Sequence, residues 1–241
     1  MKWENSMLKI VTIEGIPIKI HWSFIFTILI ILGVIWKNQL SFVPGCFLFL
    51  FVFVLFLLVI MHEYGHAMMA RKFNVKTRDI IITPIGGIAR LEDMPKIPTH
   101  EFLVAFAGPL VNLFFAIFFG IILFLLDTED FFLREKEQVE LLTDPIGFLL
   151  LVTLMNCILF IFNLIPAFPM DGGRILRSIL SMFLPRHKAT IIAANIGRIM
   201  AIGFIIFGLY NRMFSLIFIG IFIYLMATKE YHMTRIQRDN S

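Results

Sequence analysis

The sequence predicts an all-α, multi-pass membrane protein of six spans, with a small membrane-associated β-hairpin or sheet beside its candidate site. Three observations carry that reading. Of 241 residues, 59% are hydrophobic and only 16% charged, whereas soluble domains average about 25% charged residues. Ser41 to Met61, Phe102 to Leu126, Pro145 to Met170 and Met213 to Thr228 contain no charged residue. The first three exceed the roughly 20 residues with which a helix crosses the hydrocarbon core. Third, basic residues are divided very unequally among the segments between these tracts.

In chain order the spans are expected at about 22–36, 46–70, 102–126, 147–169, 189–210 and 213–228. Trp22 and Trp36 bracket the first as interfacial anchors do, and the short Asn211–Arg212 connection parts the last two. The N-terminal segment, 71–101, 171–188 and the tail carry sixteen Lys and Arg. The intervening loops carry four (Lys37, Arg134, Lys136 and Arg212), and the largest, 127–144, is acidic. Positive charge is retained on the cytoplasmic side, so both termini are expected in the cytoplasm and 127–144 outside, in the cell (plasma or inner) membrane. The net charge of +4 follows from that asymmetry and calls for no nucleic-acid partner. Arg198 lies inside the fifth span, where it can snorkel to the interface. Cys46 and Cys157 sit in apolar tracts as filler, with no pairing framework. No cleavable signal peptide is expected, and residues 1–241 read as a single domain.

The chemistry starts where the second span ends, in FVFVLFLLVIMHEYGH. His62 and His66, four apart, share one helical face and can hold one ion, while Glu63 can reach a water beside it. Ionisable groups at membrane depth cost about 2.5–3.5 kcal/mol each on insertion scales, which a purely structural helix has little reason to bear. A hydrolytic zinc site keeps three protein ligands and one open position. The candidate third ligand is Asp171, in FNLIPAFPMDGG, where Pro166 and Pro169 break the fourth span. Capping the helix that begins near Gly173 is the other reading of Asp171. Asn163, eight residues earlier, can donate to a substrate or oxyanion, or hydrogen-bond a neighbouring helix. The β-branched run and Gly-Gly turn of KTRDIIITPIGGIAR (Lys76 to Arg90) read as a hairpin. It is either a re-entrant clamp for an extended peptide or an ordinary cytoplasmic hairpin. Gly108-Pro109-Leu-Val-Asn112 in the third span fits close helix packing.

Taken together, His62–His66, Gly86–Gly87, Gly108–Asn112 and Asn163–Gly173 resemble, in order and span by span, the site-2 protease family of intramembrane zinc metalloproteases. The likeness runs from about Gly15, in the GIPIKIHWSF element, to Arg198. It implies one zinc per chain on His62, His66 and Asp171, with Glu63 as general base and Asn163 near the reacting centre. Gly86, Gly87 and Asn112 are implied to lie near bound substrate. The implied partners are the bilayer and a transmembrane protein cut in or near its membrane segment. The tail after Thr228 is too short for the PDZ or CBS modules many members carry. Two other functions use the same residues: a membrane-embedded zinc peptidase trimming surface or soluble peptides, and a non-catalytic zinc-binding transporter or scaffold. The second has no use for Glu63.

Overall fold

The computed structural model describes residues 7–84, 86–126 and 138–239, so much of the acidic 127–144 loop lies outside the described residues. Strands β1 (Met7–Ile13) and β2 (Ile16–His21) lead through a 3-10 turn (Trp22–Phe24) into α1 (Ile25–Lys37) and α2 (Phe42–Lys72). Strands β3 (Thr77–Thr83) and β4 (Gly86–Leu91) come next. Then follow α3 (Pro98–Leu125), α4 (Gln138–Thr143), α5 (Pro145–Asn163), α6 (Asp171–Ser181), α7 (Arg186–Tyr210) and α8 (Phe214–Asp239). The chain divides into two compact units, one of residues 1–93 and 110–160, the other of 94–109 and 161–241.

The first unit holds a four-stranded sheet ordered β1-β2-β3-β4. β1 and β2 pair antiparallel, as do β3 and β4, while β2 and β3 run parallel. A parallel pair needs a crossover, and here the α1–α2 hairpin provides it. The Ile80–Ile82 run is β-branched, suits a pleated buried surface, and packs with Ile16, Ile18 and Ala67 in one core cluster. Asp79 is buried beside it, bonded by Lys19 at 2.7 Å and by the Arg90 guanidinium. Burial alone would raise the Asp79 carboxyl, but the hydrogen bonds and charges of Arg90 and Lys19 outweigh it and hold the group below its usual range. α2 is 31 residues long with Pro44 in its first turn and Arg71 and Lys72 in its last, placements that spare the helical ladder and complement the dipole.

The second unit is built around α7 and α8. Small residues on α7 (Ala189, Ala193, Ala194, Gly197, Ala201 and Gly208) are buried. A Cβ on Gly208 would lie 2.8 Å from Ile217 Cγ1, and one on Gly220 2.8 Å from the Ala201 carbonyl oxygen. Close approach of small residues is how apolar helices pack when lipid removes the hydrophobic drive. Arg177 of α6 is buried and donates to Glu101, near the start of α3, and to Glu230 of α8. Arg186 reaches the other Glu101 oxygen at 3.0 Å.

Several expectations change. Among the described residues, five helices are long and apolar enough to cross a bilayer, and the helical segment Trp22–Lys37 falls short of that length. α5 ends at Asn163, before the expected limit of 169. Its last turn tightens as Leu164 and Ile165 donate three residues back, and Pro166 has no N–H with which to continue. α8 runs on to Asp239, past the expected end at 228. The hairpin of 76–90 is there, but it is half of a sheet completed by the N-terminal hairpin, whose pairing lies far away in sequence.

Candidate active site

His62 and His66 lie one turn apart near the C-terminal end of α2, and both are buried. Their Nε2 atoms approach to 3.1 Å with the rings edge to face. Two tetrahedral nitrogen ligands, each about 2.0–2.1 Å from a zinc ion, lie roughly 3.3–3.4 Å apart. The pair therefore fits a metal with an adjustment of a few tenths of an ångström.

Behind the histidines, the first unit supplies amides. His62 Nδ1 is hydrogen-bonded to Asn112 Oδ1. Asn112 Nδ2 donates to Asn156 Oδ1 at 3.3 Å, and Asn156 Nδ2 donates to the Val152 carbonyl at 2.9 Å. Both asparagines are fully buried. Asn112, singled out from the sequence as a substrate contact, thus sits against the outer nitrogen of His62. Asn156 escaped the sequence reading, although a lone amide inside FLLLVTLMNCILF is a signal.

Glu63 faces the sheet. Its Oε2 accepts from the backbone N–H of Ala89 at 2.7 Å. Ala89 pairs with Ile80 in the β3–β4 register, and the bond to Glu63 directs its N–H to the outer edge of β4. Two glycines make this approach possible for different reasons. Gly86 has φ +144° in the turn, a conformation that side chains resist. A Cβ on Gly87 would come within 2.7 Å of Glu63 Cγ and 2.9 Å of Val59 Cγ1, so Gly87 lets the strand lie against α2.

Asn163 and Asp171 belong to the second unit. Asn163 is the half-buried last residue of α5, and Asp171 is buried at the start of α6, with Met170 as N-cap. A Cβ on Gly172 would strike the Ile165 carbonyl oxygen at 2.2 Å, and one on Gly173 the Ala167 carbonyl carbon at 2.8 Å. The Asp-Gly-Gly run thus lets the broken segment 164–168 fold back over the helix start that carries the carboxylate.

Residues 50–206 match the model of Peptidase family M50. A zinc metalloprotease of Methanocaldococcus jannaschii is 37% identical over 233 residues, which cover 97% of this chain and 63% of that protein. Stage IV sporulation protein FB of Bacillus subtilis is 31% identical over 136 residues, covering 56% of this chain and 42% of that protein. The chain therefore spans only part of the length of these curated relatives. The solved structure of a site-2 protease from Methanocaldococcus jannaschii matches with TM-score 0.65 and 37% identity, over 93% of this chain and 95% of that one. With its long apolar helices, its histidine pair on α2 and a family match over most of its length, the chain is a membrane protein of peptidase family M50, the site-2 protease family.

Proposed function

We propose that this protein is an intramembrane zinc metalloprotease that hydrolyses a peptide bond in or near the membrane segment of another membrane protein. The observation that carries this is the pair of buried Nε2 atoms 3.1 Å apart, with the adjoining Glu63 carboxylate on the outer edge of a strand. One zinc would be held by His62, His66 and Asp171, three buried residues of ligand type, which leaves a position open for water or substrate. When bound, zinc lowers the pKa of water and polarises a carbonyl.

The chain's own residues do the rest. Glu63 takes a proton from the attacking water and returns it to the leaving amine. The Ala89 N–H keeps that carboxylate turned toward β4. The outer edge of β4 receives the substrate as an added strand, which exposes a scissile bond that a helix would hide. Asn163 donates to the substrate or to the oxyanion that develops on it.

The whole chain works as one domain in the cell membrane, with both termini cytoplasmic and 127–144 outside. The basic asymmetry of the loops supports this orientation, and the parallel β2–β3 pair supports an even number of crossings between those strands. α2 is long enough to cross, and it delivers the chain back to a strand lying beside β2. α1 must then carry the chain outward, making Trp22–Lys37 a short sixth span.

The test is cleavage of a membrane-segment substrate in liposomes by wild type and Glu63→Gln. The substitution is expected to lower the rate by about 10²–10⁴-fold or more, with zinc content unchanged. Cleavage should map inside the apolar segment. Near wild-type cleavage by Glu63→Gln would overturn the hydrolase mechanism, and cuts confined to soluble peptides would point to the trimming peptidase instead.

A further inference from the structure

Hydrogen-bond direction can be followed from a group that has no choice. The Val152 carbonyl oxygen can only accept, so the Asn156 atom 2.9 Å from it is the amide nitrogen. Asn156 therefore turns its oxygen toward Asn112 and must receive a donor, which is Asn112 Nδ2 at 3.3 Å. With its nitrogen committed, Asn112 presents Oδ1 to His62 Nδ1, and that ring nitrogen must carry the hydrogen. A neutral imidazole with a proton on Nδ1 holds its lone pair on Nε2. Nε2 is the atom facing His66.

We propose that Asn112 and Asn156 are positioning residues that lock His62 in the one tautomer able to bind metal through Nε2, with the Val152 carbonyl as the fixed reference. The inference rests on reading His62 as a zinc ligand. Burial supplies the force. Both amides are fully buried in the apolar helices α3 and α5, and a reversed amide there would face nitrogen to nitrogen and oxygen to oxygen, leaving buried groups unsatisfied at about 1–3 kcal/mol each. Outer partners of ligating histidines commonly control metal affinity by about 10–100-fold. In this chain the control passes through two neutral amides, from His62 through Asn112 and Asn156 to the Val152 carbonyl.

The experiment measures zinc affinity by chelator competition and, in zinc-stripped protein with labelled histidine, the His62 tautomer from its ¹⁵N shifts. Asn156→Leu frees Asn112 to turn its nitrogen toward His62. It is expected to weaken zinc binding about 10–100-fold and to move the proton toward Nε2. Asn112→Leu should do the same, and the double variant should be no worse than either single, because both act through one path. Asn112→Asp keeps an acceptor on His62 Nδ1 but opposes an oxygen to Asn156 Oδ1, so it should keep the Nδ1–H form and bind zinc more tightly than Asn112→Leu. Its recovery separates tautomer control from misfolding. Wild-type zinc affinity and an unchanged tautomer in Asn156→Leu would overturn the proposal, as would equal losses in Asn112→Leu and Asn112→Asp. His62→Ala is the control for the ligand reading. If it leaves zinc binding intact, that reading fails; if it abolishes binding while Asn156→Leu does not, only the relay fails.

Discussion

Each unit buries a polar array among its helices, and the two are made of opposite materials. The array in the first unit is neutral, running from His62 through Asn112 and Asn156 to a backbone carbonyl. The array in the second unit is ionic, with Arg177 between Glu101 and Glu230 and Arg186 on the second Glu101 oxygen. Helix α3 contributes to both, with Glu101 in its first turn and Asn112 near its middle. A charge midway along an apolar helix is costly, whereas an amide with its partners in place is tolerated. The contrast separates two jobs: orientation of a ligand where charge is excluded, and fixing of helix ends where charge can be matched.

The largest effect on stability should come from the ionic array. Arg177→Met strips Glu101 of its main partner and removes the cation stacked 5.3 Å over Phe168. Losing one member of a buried pair costs about 3–5 kcal/mol, to be read from thermal unfolding in detergent. Adding Glu101→Gln should restore much of that, since a buried pair replaced on both sides is often neutral. A drop under about 1 kcal/mol in the single variant would equate this array with an exposed ion pair and erase the contrast.

The neutral array should fail differently. Asn156→Leu is expected to cost about 1–2 kcal/mol in unfolding, far less than Arg177→Met, while damaging zinc affinity. Equal unfolding losses in the two variants would mean that both arrays serve the fold.

Acid sharpens the comparison within the first unit, whose own ionic group lies in the sheet. The Asp79 carboxyl is held below its reference value of 3.8 by Arg90 and Lys19. Its contribution is therefore present above about pH 4 and fades as pH falls through the lower folded-state value. Thermal midpoints below pH 4 should fall in wild type and be flatter in Asp79→Asn. The smallest effect belongs to Glu230→Gln, because Glu230 is 36% exposed; about 0–1 kcal/mol is expected from unfolding curves.

Apolar length and composition alone announced the membrane class, since no packing arrangement can dissolve helices such as α2. The His62–Glu63–His66 spacing announced the metal pair, because helical period is local. The end of the fourth span was misjudged by several residues, as hydropathy continues through Leu164 and Ile165 while the hydrogen-bond ladder does not. Trp22–Lys37 shows the converse. Its apolarity was legible, but its helical length depends on where the strand before it ends.

The sequence by itself therefore determined the class, the ligand-bearing helix and the residue types that could act, because these follow from short-range period and from transfer free energy. Only the tertiary structure decided that residues 7–21 complete the sheet, that Ala89 holds Glu63 and that Asn112 and Asn156 stand behind His62. Each of these is a contact between segments distant in sequence. The partner of a buried donor is chosen by which acceptor the fold brings within about 3 Å, and no local pattern records that choice.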